Sequence, residues 1–288
     1  MMQDDIFSYK QTVINGLRYY LEKSNVFSKK LLGSVEYSLF SAGKFLRSSL
    51  LLDFCKLCCE NIEPAVPFAC AVEMIHTYSL IHDDLPCMDD DSVRRGKPSN
   101  HVVNGEGFAV LAGDALFSLA AEILTDRKTV KFLDADSCVK ACNILFGCCG
   151  ISGMVDGQAL DLSFKNNQMK FFSFSDYICS VKKIHLKKTG RLFGACCALG
   201  CVAGKSSEKN VKKAKAFGEK LGVAYQLLDD LDDNSFGEVD DVFKKCLKEE
   251  VKKIINEAEN IFNLYFKADR SRSYVYKFLD NIIEKIER

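Results

Sequence analysis

Residues 217–230 read Phe-Gly-Glu-Lys-Leu-Gly-Val-Ala-Tyr-Gln-Leu-Leu-Asp-Asp. Apolar side chains at Phe217, Leu221, Tyr225 and Leu228 recur at the three- and four-residue spacing of one helix face. Val251, Ile254, Ile255, Ala258, Ile261 and Phe262 repeat that spacing downstream. Proline breaks or kinks helices, and all 4 prolines (Pro64, Pro67, Pro86 and Pro98) lie before position 100. The rest of the chain is therefore free to run as consecutive helices. Neither sustained strand alternation nor an internal repeat is present. Short polar or glycine-containing stretches near 61–67, 95–107, 126–136, 165–173, 204–208 and 233–239 predict connections between helices. None has the character of a domain linker, so the expectation is one all-α domain over residues 1–288.

The bulk composition agrees. Hydrophobic residues make up 48% of 288, enough for a sizeable core. Lys+Arg and Asp+Glu both number 39, so there is no basic footprint for nucleic acid. The start, MMQDDIFSYKQ, is polar and does not read as a signal peptide. No apolar run reaches the ~18 residues expected of a membrane span. The 14 cysteines then read as reduced and mostly buried, in a cytoplasmic protein. Cys55-Lys56-Leu57-Cys58 is formally C-x-x-C. It lacks the second pair or the βαβ context that a metal or redox reading needs, and is taken as core packing, as are Cys148-Cys149 and Cys196-Cys197.

Two acidic clusters carry the chemistry. Leu80-Ile81-His82-Asp83-Asp84-Leu85-Pro86-Cys87-Met88-Asp89-Asp90-Asp91 packs its acids behind an apolar helical run. Like charges so dense repel one another, and a cation is the natural partner. Asp229-Asp230-Leu231-Asp232-Asp233 ends a second apolar run, with Asp229 and Asp233 one helical turn apart on one face. Mg²⁺ takes one or two protein carboxylates and completes its shell with phosphate oxygens and water. Two such clusters suggest two walls of one metal–diphosphate site. Asp83 and Asp89 would lie on different faces of a continuous helix, since six residues turn through ~600°. A backbone irregularity at Pro86 is expected to bring Asp89 back to Asp83 and Asp84.

With these clusters in place, the sequence resembles the trans-prenyl diphosphate synthases. Asp83-Asp84 with Asp89 and Arg94-Arg95-Gly96 looks like the family's first aspartate-rich motif in its bacterial form, and Asp229-Asp230 with Asp233 like the second. Gly43-Lys44-Phe45-Leu46-Arg47, Ala112-Gly113-Asp114-Ala115-Leu116, the Gly153–Leu162 stretch with Gln158 and Asp161, Ile184-His185 with Lys188-Thr189-Gly190, and Tyr225-Gln226 follow in family order. The resemblance implies an all-α bundle around a central cavity, usually homodimeric, with roughly three Mg²⁺ per site. It implies that Asp83, Asp84, Asp89, Asp229, Asp230 and Asp233 form the metal motifs. Arg94 and Lys188 would contact an allylic diphosphate. Lys44, Arg47, His76 and Arg95 would hold isopentenyl diphosphate, with Tyr225 also on the substrate side.

The implied reaction ionises the allylic diphosphate, and the double bond of isopentenyl diphosphate attacks the cation. Pyrophosphate leaves only when its charge is neutralised, which Mg²⁺ and basic side chains do. The carbonyl of Lys188, the hydroxyl of Thr189 and the amide oxygen of Gln226 would face the cation with negative dipole ends. Tyr78, five residues before Asp83, stands where the family floors its product cavity, and a bulky floor favours farnesyl diphosphate. Taken singly, Lys44 and Arg47 read as surface cations, His76 as a core histidine, and Gln158 with Asp161 as a hydrogen-bonded pair.

The sequence departs from the family after Asp233. The usual loop with two lysines is missing, and Asn234-Ser235-Phe236-Gly237-Glu238 follows at once. Lys244 and Lys245 come next, and a solvated helix face is the expectation for them. Phe45 stands where the family has a basic residue and Ser48 where it has proline. Two alternatives stay open: a weakly active or non-catalytic partner subunit, and a class I terpene cyclase.

Overall fold

The computed structural model describes residues 2–41, 43–165, 174–232, 241–270 and 273–287. Asp233 and the expected break at 233–239 lie outside the described residues, as does 166–173 of the break expected at 165–173. The chain runs through α1 (Met2–Lys23), α2 (Lys29–Leu39), α3 (Leu46–Cys59), α4 (Val66–Asp83), α5 (Asn100–Asn104), α6 (Glu106–Thr125), α7 (Arg127–Leu133) and α8 (Ala135–Cys149). It continues through α9 (Met154–Lys165), α10 (Phe174–His185), α11 (Arg191–Ala203), α12 (Glu208–Asp232), α13 (Asp241–Tyr265) and α14 (Tyr274–Glu287). The fold is all-α, as the apolar periodicity predicts. The described residues divide into two compact units, Met1–Leu52 with Glu63–Cys142, and Asp53–Ile62 with Asn143–Arg288.

In the first unit α4 is the core. Pro67 stands in its first turn, where its missing N–H costs nothing. Pro67 through Ile75 are all buried, Glu73 among them with the Ser48 N–H donating to its carboxylate, and the helix is covered by α1, α2 and α6. Gly113 of α6 lies against His82: a Cβ there would stand 2.1 Å from the ring's Nε2. That close approach explains the glycine of the Ala112-Gly113-Asp114 stretch.

Two strands of two residues, β1 (Val93–Arg94) and β2 (Lys97–Pro98), pair antiparallel after the acidic cluster. Arg95 and Gly96 turn between them with φ of 55° and 74°, the left-handed pair that a tight two-residue hairpin requires. Strands this short leave no alternation to read, so the sequence shows only a break here. By length and composition α6 is apolar enough to cross a membrane, as is the stretch 135–165. Neither contains an uninterrupted apolar run of ~18 residues, since Asp114 and Glu122 interrupt α6, and Lys140 and Asp156 interrupt the other.

In the second unit α11 is the core, with every residue from Leu192 to Ala203 buried. It crosses α12 at glycine contacts: a Cβ on Gly218 would lie 2.8 Å from the Cα of Gly194. A π-helical turn, Leu186–Gly190, joins α10 to α11. Such turns re-aim side chains, and this one carries Lys188 and Thr189. Phe54 anchors the aromatic core, 5.7 Å from Phe217 and 5.8 Å from Phe262. None of the 14 cysteines forms a disulfide. Cys55, Cys148, Cys149, Cys196 and Cys197 are buried as expected, whereas Cys58 is partly exposed and Cys59 exposed.

Candidate functional site: two acid–base clusters

The first cluster grows from the end of α4. The helix stops at Asp83, with Asp84 as its C-cap. Pro86 then turns the chain, and the Asp89 N–H donates to the Asp83 carbonyl at 2.9 Å. The N–H groups of Met88 and Asp90 both donate to the Leu85 carbonyl, at 2.8 and 3.1 Å. Asp89 therefore returns to Asp83 as expected. The device differs: the helix ends and a compact loop follows, instead of a bulge in a continuing helix.

Asp84 is buried at 3% exposure, and Arg94 compensates it. Arg94 Nε and Nη2 donate to Asp84 Oδ1 at 2.8 and 2.6 Å, and Nη2 also reaches Asp91 Oδ2 at 2.7 Å. Burial raises the Asp84 pKa above the usual carboxylate value, and Arg94 opposes that shift without cancelling it. Asp91 had no role in the sequence reading.

His76 is an acceptor here. Arg47 Nη1 lies 3.0 Å and Arg95 Nη2 3.4 Å from its Nε2. Guanidinium nitrogens only donate, so Nε2 is unprotonated and the ring proton sits on Nδ1. Burial holds the His76 pKa well below the usual value, and Arg47, Arg95 and Arg94 add to that. The neutral ring thus fixes two arginines side by side. Arg95 Nη1 also donates to Ser41 Oγ at 3.2 Å. Asp84, Arg94 and Arg95 line one cleft together with Tyr37, Ser41 and Thr77. Lys44 is exposed. Phe45, at a basic position of the family, is 6% exposed, with Lys10 Nζ 5.4 Å from its ring centre. Tyr78 meets Phe117 of α6 edge to face at 5.2 Å and His82 at 5.7 Å. Phe117 was missed by the sequence reading, since nothing local marks a partner 39 residues away.

The second cluster is built on α12, the π-helical turn and α9. Lys188 Nζ donates to Asp161 Oδ2 at 2.7 Å, and Lys165 stands 3.4 Å from the same oxygen. Burial by itself raises the Asp161 pKa, but Lys188 and Lys165 outweigh it and hold the carboxyl low. The expected Gln158–Asp161 pair is not formed. Asp161 turns to the lysines, and both amide atoms of Gln158 are buried without a hydrogen-bond partner among the described residues. Thr189 Oγ1 donates to Gln226 Oε1 at 3.1 Å, and Gln226 Nε2 to Asp230 Oδ1 at 3.1 Å. His185 Nε2 lies 2.6 Å from Asp230 Oδ2. Asp230, expected in the metal motif, therefore has both oxygens engaged by protein donors. Tyr225 stacks on Phe278 at 5.8 Å within an aromatic cluster that includes Phe193.

Lys285, near the end of α14, pairs with Asp232 at 2.7 Å and reaches Asp229 at 3.8 Å. Asp232, then Asp229, push its pKa up. Lys244 and Lys245 are exposed on α13, as expected. The cation beside the second acidic cluster thus comes from a helix 53 residues further on.

The donors fit Mg²⁺. They are hard carboxylate oxygens, and the Asp89–Asp83 backbone bond holds two of the bearing residues together. Among the described residues no three candidate ligands converge. Mg²⁺ needs only one or two from the protein when phosphate oxygens and water complete its shell.

The Polyprenyl synthetase family model matches residues 28–249. The farnesyl diphosphate synthase of Bacillus subtilis is 38% identical over 222 residues, 77% of this chain and 72% of that protein. The geranylgeranyl diphosphate synthase of Cyanophora paradoxa is 40% identical over 198 residues, 69% of this chain and 63% of its own length. The chain also spans about half of a third relative, being 40% identical over 53% of the large subunit 1 of an Arabidopsis thaliana heterodimeric geranylgeranyl pyrophosphate synthase. Among solved structures, a geranyltransferase from Legionella pneumophila superposes with a TM-score of 0.85 at 30% identity, covering 100% of this chain and 98% of that one. An FPP/GFPP synthase from Zymomonas mobilis gives 0.83 at 29%, covering 98% and 100%. Motif order, helical architecture and a family match over more than two thirds of its length make this chain a member of the polyprenyl synthetase family of prenyltransferases.

Proposed function

We propose that the protein condenses isopentenyl diphosphate with dimethylallyl and then geranyl diphosphate, giving farnesyl diphosphate. One observation carries the chain length. The Tyr78 ring, 5.2 Å from Phe117, stands about a turn and a half before Asp83, where a growing chain would meet two aromatic side chains. The named relatives do not decide between products, since farnesyl and geranylgeranyl synthases match at 38% and 40% identity.

Following the family resemblance, Asp83, Asp84 and Asp89 of the first motif and Asp229 of the second would each take part in binding Mg²⁺. Bound Mg²⁺ supplies charge neutralisation that lets pyrophosphate leave. Arg94 and Lys188 are each parked on a carboxylate, Asp84 and Asp161, and each would transfer to an allylic diphosphate oxygen. Arg47 and Arg95, aligned by neutral His76, would grip the diphosphate of isopentenyl diphosphate with two planar forks. Thr189 and Gln226 would offer oxygen to the allylic cation. We also read the two units as one functional domain, because one family model runs through both.

Tyr78→Ala is expected to lengthen the main product by at least one five-carbon unit. Mass spectrometry of the diphosphates checks this; an unchanged fifteen-carbon product would place the floor elsewhere.

We infer a homodimer as well. Val102, Val103 and Leu111 on α5 and α6 are 53%, 50% and 51% exposed, and an apolar face of this kind fits a second copy. Light scattering should give twice the 32.3 kDa chain mass, falling to one chain mass in a Val103→Asp, Leu111→Asp variant. A wild-type protein of single mass would reject the dimer.

A further inference from the structure

An amide side chain has two ends of opposite polarity, and the choice between them is set by its neighbours. Gln226 Nε2 donates to Asp230 Oδ1 at 3.1 Å, one turn further along α12. The amide nitrogen is the donor in this bond, so the nitrogen end of the amide faces Asp230. The oxygen end then faces Thr189, whose Oγ1 lies 3.1 Å away. Thr189 takes one lone pair of that oxygen and leaves the second available. The remaining oxygen of Asp230 is held by His185 Nε2 at 2.6 Å, and His185 is itself buried at 8% exposure. His185 sits on α10 and Thr189 on the π-helical turn that follows, so four side chains from neighbouring segments form one hydrogen-bonded chain.

We propose that Asp230, clamped by His185, is a positioning residue that keeps the oxygen of the Gln226 amide turned to the reacting allylic cation, and is not a metal ligand. This rests on the elongation chemistry proposed above. Rotation of the amide by half a turn would present N–H groups to a developing positive charge, and the Asp230–His185 pair makes that rotation unfavourable. Asp230→Asn removes the rule, because an asparagine offers either end. His185→Leu removes the clamp, while His185→Gln keeps an N–H donor near the place of Nε2.

The test measures binding of two allylic diphosphate analogues to the whole protein with Mg²⁺. One carries an ammonium at the reacting carbon, and the other is its neutral isostere. Wild type is expected to prefer the ammonium. Asp230→Asn and His185→Leu should each lose about tenfold of that preference, the scale of one charge-assisted hydrogen bond. His185→Gln should recover most of it. The Mg²⁺ concentration that supports binding of the neutral analogue should stay unchanged throughout, with kcat falling and the KM for isopentenyl diphosphate holding. A merely structural role would weaken both analogues equally, and that result overturns the proposal. So does a large rise in the Mg²⁺ requirement of Asp230→Asn with the ammonium preference intact, which would make Asp230 a ligand. Melting temperatures are read alongside, and if Asp230→Asn does not fold, the two His185 variants carry the comparison. Wild type that binds neither analogue would sink the elongation reading itself; wild type that prefers the ammonium, with unchanged variants, sinks this inference alone.

Discussion

Asp83→Ala is expected to lower chain elongation by at least about a thousandfold while the protein stays folded, since loss of a diphosphate-neutralising group is worth roughly 4 kcal/mol of barrier. The reasoning is geometric. The loop that returns Asp89 to Asp83 is closed by the Asp83 carbonyl, a backbone atom that alanine retains. The side chain is only partly buried, so its removal opens no core cavity. Asp84→Ala should behave differently, although it belongs to the same motif. Its carboxylate is buried and is the main partner of Arg94, at 2.6 and 2.8 Å. Removing it leaves a half-buried guanidinium with Asp91 and the more weakly acting Asp83, and a further loss of about 3 kcal/mol in stability is expected. Circular dichroism with denaturant, run beside the elongation assay, separates the two variants. Equal stability losses would contradict the different roles given to the two carboxylates.

The second large effect lies far from the chemistry. Asp53→Ala should destabilise the protein by about 3 kcal/mol, because buried donors lose their acceptor. Asp53 is 2% exposed and its Oδ2 accepts from Ser273 Oγ at 2.8 Å and from the Val275 N–H at 3.1 Å. These donors stand at the start of α14, the helix that carries Lys285 to Asp232. Asp53→Asn keeps an oxygen for both bonds and should cost much less. Burial raises the Asp53 pKa, with Ser273 and the backbone of Val275 only partly opposing it. The sign follows. A raised carboxyl takes up its proton in the folded state before the unfolded chain does. Stability from this group therefore grows as pH falls through the folded value toward the unfolded one near ~3.9, and the ionised form is the costly one above it. Relative to Asp53→Asn, wild type should gain stability on acidification from pH ~7 to ~4.5, a range chosen to stay above the unfolded value. A difference independent of pH would contradict the assignment.

The helices were legible because their apolar period is local. Phe217, Leu221 and Leu228 are buried on α12, and Val251, Ile254, Ile255, Ala258 and Phe262 on α13, as the spacing predicts. The return of Asp89 was legible for the same reason, since Pro86 and the acid spacing lie within one loop. The ion pairs were not. Nothing local tells Lys285 apart from other cations on amphipathic helices, and Asp232 is 53 residues away. His185 and Asp230 are 45 residues apart, and the motifs that contain them do not signal that they meet. The Arg95-Gly96 turn was visible as a break, but strands of two residues carry no alternation. Charge pairing across a fold is set by tertiary contact, which a periodic pattern does not encode.

The most direct measurement incubates purified protein with dimethylallyl and isopentenyl diphosphates and Mg²⁺, with and without chelator, and follows pyrophosphate release and products together by mass spectrometry. The account predicts pyrophosphate release matched one for one by added five-carbon units, ending mainly at fifteen carbons and abolished by chelator and by Asp83→Ala. Folded protein that elongates no primer of five, ten or fifteen carbons, or that releases a hydrocarbon in place of a longer diphosphate, would contradict it.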